Sequence, residues 1–269
     1  MIWRNTALFD RFLDLDSDVT DDKSLATIIV LGAYPINIDE FPNVKFVFRL
    51  GVGTDNINFS NVPIGFPIQS TKDIIYEETS NFTCNLIFRM LYDNKVPKYL
   101  KISNLWTWSS QPRNLLNTKT LLVIGTGNIG SRVCNKMSGF FDNIITYDEK
   151  TDSKPPPYEI ADIITLHIPY SEKNKNYLNK DIFKKLKDDA IIINTARGGI
   201  VNEDDLYEAL STTNIRAAFD AFWDEPYHGK LMEFYPNKFY ATPHMASTCT
   251  EFVQNCYYDF VATCRAFSE

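Results

Sequence analysis

From Thr120 to Thr242 the chain alternates short, nearly unbroken apolar runs with polar stretches of helical length. The runs Thr120–Ile124, Ile144–Tyr147, Asp162–Ile168, Ala190–Asn194, Ile215–Asp220 and Phe239–Thr242 are rich in β-branched residues. Uninterrupted apolar strands separated by helices are what a parallel sheet covered on both faces requires. Two earlier runs, Thr27–Leu31 and Val44–Leu50, read as strands of a smaller α/β unit, and little before Thr27 reads as a further strand and helix. Ile74, Ile75, Phe82, Leu86, Ile87, Met90 and Leu91 keep a helical period, which predicts a long helix closed off by Pro97 that leads into the larger unit. The segment Ser247 to Phe267 predicts a helix that returns to the smaller one.

One connection departs from this rhythm. Only thirteen residues separate Asp148 from Asp162, and three of them are the consecutive prolines Pro155, Pro156 and Pro157. Proline forbids a helix there, but an extended proline-rich segment rises about 3.1 Å per residue and can still cross back over a sheet. The expectation is that no strand lies beyond Ile144–Tyr147, so the sheet ends early on that side.

The first run of the larger unit leads straight into Gly125-Thr126-Gly127-Asn128-Ile129-Gly130, and Asp148 closes the second. A strand, a G-x-G-x-x-G turn, a helix and a carboxylate about 20 residues on form a dinucleotide fingerprint. Gly125 makes the tight turn, Gly127 lets the backbone approach a pyrophosphate, and Gly130 lets helix and strand pack closely. The phosphates sit on N–H groups of the helix start, at Asn128 and Ile129. Asp148 can accept from both ribose hydroxyls of NAD but would repel the extra phosphate of NADP, so NAD is the expected cofactor.

Composition narrows the class further. The 269 residues can bury two modest cores, and a net charge of -7, from 34 acidic against 27 basic residues, disfavours nucleic acid or an anionic membrane as partner. Much of the acidity falls in Asp14 to Asp22, read as a solvated loop. The five cysteines form no C-x-x-C pair, so buried free thiols in a reducing, cytoplasmic setting are expected and a metal site is not. No run of 18 apolar residues occurs, and no signal-type stretch follows Met1.

Three further segments each follow a predicted strand: Asn194-Thr195-Ala196-Arg197-Gly198-Gly199-Ile200-Val201-Asn202, Asp220-Ala221-Phe222-Trp223-Asp224-Glu225-Pro226, and Thr242-Pro243-His244. Ligands of open α/β sheets bind beyond the carboxyl ends of strands, so Arg197, Asp220, Glu225 and His244 can converge there. Together with Arg49-Leu50-Gly51-Val52-Gly53-Thr54-Asp55-Asn56, the glycine turn and the D-I-I-T-L-H-I-P stretch ending at Pro169, these motifs resemble the D-isomer-specific 2-hydroxyacid dehydrogenase family from about Thr27 onward.

The resemblance implies an NAD-binding Rossmann domain (73–246) and a smaller, truncated flavodoxin-like substrate domain (1–72 and 247–269). It implies reduction of a 2-oxo acid to a D-2-hydroxy acid. Arg197 would grip the substrate carboxylate and carbonyl, His244 would be the general acid, and Glu225 would pair with its imidazole. The N–H groups of Val52 and Gly53 would bind the carboxylate. Asp220 would accept from the nicotinamide carboxamide, and His167, Pro169, Thr195 and Ala196 would lie on the cofactor side. His228 reads as a loop residue, and Trp223 is near enough to Glu225 to line the pocket. Trp106 and Trp108 read as packing or dimer contacts, and a homodimer is the expected assembly.

Departures from the family pattern sharpen the expectation. Leu31-Gly32-Ala33 lacks the arginine and serine that phosphoglycerate-type members carry, which points to a small unphosphorylated acid. The compact loop from Pro226 to Pro243, and the end of the chain at Glu269, suggest activity without an appended effector domain. The shortened first domain, and the sequence Lys72-Asp73-Ile74-Ile75, keep a second reading open: an NAD-sensing binding protein of the same fold without turnover.

Overall fold

The structure, a computed structural model, describes residues 1–54, 57, 61–92 and 114–268. Asp55, Asn56, Pro97, Trp106 and Trp108 lie outside the described residues. The chain folds into two compact units, Met1–Glu78 with Ser247–Glu269, and Thr79–Ala246.

The first unit is built on four parallel strands in the order β1 (Ile2–Arg4), β2 (Ile28–Leu31), β3 (Phe46–Arg49) and β4 (Ile64–Gly65). The expectation that little before Thr27 forms a strand is corrected here: Ile2, Trp3 and Arg4 pair in register with Ile28, Ile29 and Val30. A three-residue strand is too short to show a period, which is why it escapes a pattern reading. The stretch after β1 is reduced, as expected. A single 3₁₀ turn, Asp10–Phe12, stands in place of a helix, and Ile2 makes one isolated bridge to Val19. The aspartates from Asp14 to Asp22 are exposed. Helix α5 (Thr250–Ser268) packs Phe252, Val253, Cys256 and Phe260 against Phe9, Phe46 and Phe48.

The second unit holds six strands, all parallel: β5 (Thr120–Ile124), β6 (Asn143–Tyr147), β7 (Ile163–Leu166), β8 (Ile191–Asn194), β9 (Arg216–Phe219) and β10 (Phe239–Ala241), in the spatial order β10-β9-β8-β7-β5-β6. The period of two explains the unbroken apolar runs. Leu122, Ile124, Ile164, Leu166, Ile192, Ala217 and Phe219 fill one core, while Leu121, Val123, Ile163, Ile191, Ile193 and Ala218 fill the core on the opposite face. A fully buried Leu, Ile or Val side chain contributes roughly 1.5–3 kcal/mol, so this double burial makes β5 the best anchored strand.

Helix α1 (Gln69–Tyr92) runs from the first unit into the second, starting five residues before the periodic stretch because its first turn, Gln69-Ser70-Thr71-Lys72, is polar. The division at Glu78 and Thr79 falls inside this helix. Helices α2 (Asn128–Met137), α3 (Lys180–Phe183) and α4 (Glu203–Thr212) complete the second unit, with Asn179 and Asn202 side chains capping α3 and α4. Between β6 and β7 stands only the 3₁₀ turn Tyr158–Ile160, and β6 is the edge of its sheet. The thirteen-residue connection is fastened by buried Pro156 and Tyr158, whose hydroxyl donates to Tyr177 at 2.9 Å.

All five cysteines are free. No group of three His, Cys, Asp or Glu among the described residues could hold a metal ion, and no helix is long and apolar enough to cross a membrane.

Candidate active site

The chain reverses its direction of travel across the second sheet at β5, with β6 on one side and β7 on the other. That switch point is where an open α/β sheet leaves a crevice at its carboxyl ends. Gly125 leaves β5 with φ of +92°, a conformation open to glycine, and its N–H donates to Tyr147 O at 2.7 Å. A Cβ on Gly125 would sit 2.7 Å from the His167 carbonyl, so the glycine turn and the loop after β7 are in contact. Gly127 is the N-cap of α2 and brings no side chain to cap it; a Cβ there would meet nothing within 4 Å. The backbone from Gly125 to Ile129 therefore has the open approach and uncapped N–H groups that a pyrophosphate needs.

Asp148 follows β6 and turns toward this loop. Its Oδ2 accepts from Thr126 N–H at 3.3 Å and Thr126 Oγ1 at 3.1 Å, and its Oδ1 from Lys150 N–H at 3.1 Å. The Lys150 N–H, then that of Thr126, holds its carboxyl below the usual carboxylate range. A carboxylate has about four acceptor sites, so an ionised Asp148 can serve a ribose while it ties the glycine turn. His167 Nε2 lies 2.9 Å from Thr165 Oγ1, and burial pushes the imidazole down to about 3, which makes it a neutral wall and no acid at ordinary pH. Pro169 is exposed, and its carbonyl accepts from Asn174 Nδ2 at 2.8 Å.

The turn after β8 is shaped by Asn194, whose Oδ1 accepts from Ala196 N–H at 3.0 Å while its Nδ2 donates to Arg197 O at 2.8 Å. Arg197 Nη1 donates to Ala196 O at 2.8 Å. Gly198 comes next for a steric reason: a Cβ there would lie 2.2 Å from the Phe222 carbonyl carbon, so the loops after β8 and β9 press backbone to backbone. Thr195 is buried, and its Oγ1 lies 2.8 Å from that of Thr83 on α1. Thr83 gives its proton to Thr79 O at 2.8 Å, which leaves Thr195 as the donor between the two hydroxyls. Sequence reasoning missed Thr83, although Thr79, Ser80 and Thr83 form a small hydroxyl cluster on an otherwise apolar helix.

The loops after β9 and β10 meet at Glu225 and His244. Both carboxylate oxygens of Glu225 lie 2.9 Å from His244 Nδ1, and Oε1 also accepts from Phe222 N–H at 3.0 Å. Burial pushes Glu225 up, but the hydrogen bond and charge of His244, the Phe222 N–H and the charge of Arg197 outweigh it, and the carboxyl ends below its ordinary value. An ionised Glu225 fixes Nδ1 as the donor, and Nε2 has no protein partner among the described residues. Arg197, Glu225 and His244, 47 residues apart at the extremes (244 − 197), are thus one electrostatic group.

Two expectations change. The Trp223 indole N–H donates to Val201 O at 2.8 Å, and its ring stacks on Phe219 with centroids 5.6 Å apart, so Trp223 packs into the core rather than lining the site. Asp220, expected to face a cofactor, is only 1% exposed, and both of its oxygens have partners in its own unit. Val52 and Gly53 lie on the loop after β3, in the first unit. His228 is exposed.

A parallel sheet with a glycine-lined switch point, a ribose carboxylate and an acid–base pair defines a dinucleotide-dependent α/β protein. The chain belongs to the D-isomer-specific 2-hydroxyacid dehydrogenase family: residues 94–246 match the family's NAD-binding domain. It is 29% identical over 229 residues to a hydroxypyruvate reductase of Thermotoga maritima, covering 80% of this chain and 74% of that one. It is 30% identical over 231 residues to a D-3-phosphoglycerate dehydrogenase of Methanocaldococcus jannaschii, covering 80% of this chain but only 44% of the relative. The fold is shared with the crystal structure of D-lactate dehydrogenase from Aquifex aeolicus complexed with NAD and lactic acid, at a TM-score of 0.80 and 21% identity, over 99% of this chain and 95% of that one.

Proposed function

We propose that this chain reduces a small, unphosphorylated 2-oxo acid to the D-2-hydroxy acid with NADH, and runs the reverse oxidation with NAD. The observation that carries the reading is the His244–Glu225 pair, which a structural turn has no need of. The bound nicotinamide supplies or takes up two electrons and one hydrogen. In reduction, His244 gives its Nε2 proton to the C2 oxygen, and Glu225 stabilises the imidazolium and its orientation before the transfer. Arg197 binds the carboxylate, since a planar guanidinium can donate two parallel hydrogen bonds to it.

The absence of a cation in Leu31-Gly32-Ala33 supports an unphosphorylated substrate. Relatives that act on phosphoglycerate make this the point to test. NADH consumption is measured with pyruvate, glyoxylate, hydroxypyruvate, branched 2-oxo acids and 3-phosphohydroxypyruvate. Turnover on the first four classes and none on the phosphate ester is expected, and no turnover on any would defeat the reading. A homodimer and a cytoplasmic location belong to the same proposal, and light scattering that gave a monomer mass would remove the first.

A further inference from the structure

Asp220 follows directly on β9 and is almost completely buried, and everything its carboxylate touches belongs to the turn around His244. Thr242 Oγ1 donates to Oδ1 at 2.6 Å, Met245 N–H to Oδ1 at 3.0 Å, and Ala246 N–H to Oδ2 at 2.8 Å. The donors stand on both sides of His244 in the chain. His244 itself has φ of +49°, and its N–H folds back to Thr242 O at 2.9 Å across Pro243. A non-glycine residue with positive φ is uncommon, and such a conformation persists only where its surroundings over-determine it. Thr242, Pro243 and Asp220 supply that surplus here.

We infer that Asp220 is a positioning residue: its carboxylate pins the Thr242–Ala246 turn and so holds the His244 imidazole on Glu225, instead of serving as the acceptor for a cofactor carboxamide. The inference rests on the reading of His244 as the acid–base group. The chemistry explains why the position needs a carboxylate. Three donors converge on two oxygens, and a carboxylate has about four acceptor sites for them. An asparagine has one oxygen, so its NH₂ would have to face a donor. Burying the charge is tolerable only because all three donors are in place.

The test compares the full-length protein with Asp220→Asn and Thr242→Val. NADH affinity is read by fluorescence titration, turnover at saturating NADH with the best 2-oxo acid, and the His244 Nδ1–H by NMR. With only three histidines in the chain, that signal can be assigned by substitution. Asp220→Asn should bind NADH within about threefold of the parent, lose at least tenfold in turnover, and lose or broaden the Nδ1–H signal that Glu225 protects. Thr242→Val, which removes one donor of three, should show the same changes in milder form and covers the case in which Asp220→Asn does not fold. A tenfold loss of NADH affinity with an intact Nδ1–H signal would overturn the inference in favour of a cofactor contact. Failure of the parent to turn over any 2-oxo acid would sink the dehydrogenase reading alone, because the NMR signal reports the hold on His244 without catalysis: its loss in either variant supports the inference, and its persistence in both defeats it.

Discussion

A Cβ placed on Gly130 would lie 1.9 Å from the carbonyl oxygen of Gly125, whereas one placed on Gly127 would meet nothing within 4 Å. The two glycines of one motif therefore answer to different demands, one to the fold and one to what the fold binds. Gly130→Ala should drive the start of α2 off β5 and cost more than about 3 kcal/mol, at the level of severe core overpacking. Gly127→Ala should melt within a few degrees of the parent but bind NADH at least tenfold more weakly, because the methyl occupies the approach to the helix N-terminus. Thermal unfolding and NADH fluorescence separate the two. A Gly127→Ala protein with unchanged affinity would mean that the pyrophosphate does not sit there.

How much of the fold and site is legible in the sequence depends on how many residues each feature needs. All six strands of the second sheet are legible because burial on both faces leaves no polar position in Leu121-Leu122-Val123-Ile124 or Ile191-Ile192-Ile193. β1 and β4 are not, since runs of three and two residues carry no period. The glycine turn and Asp148 are local in sequence, so their spacing reveals them. The contacts of Asp220 are not legible, because its donors lie 22 to 26 residues away and two of them are backbone N–H groups that carry no side-chain signature. Thr83 escapes likewise: it meets Thr195 across 112 residues of chain.

Asp148 both clamps Thr126 and presents negative charge beside the expected ribose, so its removal should have two separable effects. The parent should bind NADH at least tenfold more tightly than NADPH. In Asp148→Ala, NADH should weaken because Thr126 loses its anchor, and the preference should shrink to about threefold or less because the repulsion of a 2′-phosphate has gone. Paired titrations with the two reduced cofactors decide it. A preference that survives the substitution would assign discrimination to another residue.

The depressed His167 predicts a specific loss of stability in mild acid. Burial holds the folded imidazole down to about 3, whereas an unfolded histidine titrates near about 6.5. Between those values the unfolded chain binds a proton that the folded chain refuses, so stability rises with pH there, is complete above the upper value and is lost as pH falls. From pH 7 to pH 5.5 the expected loss is about 1.2 kcal/mol from this group alone. Urea unfolding at the two pH values should show a correspondingly smaller drop in His167→Gln, which keeps a polar partner for Thr165 but takes up no proton. An equal drop in both proteins would show that His167 does not titrate differently on folding.

β6 as the edge strand bears on which cofactors the site tolerates. A complete doubly wound half surrounds the adenosine with a third strand and its helices. Here the chain passes from Asp148 to β7 through an extended segment and one 3₁₀ turn, with Pro156 and Tyr158 buried and Tyr158 packed into the core. Base contacts should then contribute little, and affinity should rest on the pyrophosphate turn and Asp148. NADH carrying a 1,N6-etheno bridge on its adenine should bind within about threefold of NADH itself, since a tight pocket would reject the added ring by the few kcal/mol that overpacking costs. Competitive displacement of NADH by the modified dinucleotide measures this directly. A tenfold or greater weakening would mean that the proline segment folds over the base and forms the wall that the missing strand would otherwise supply.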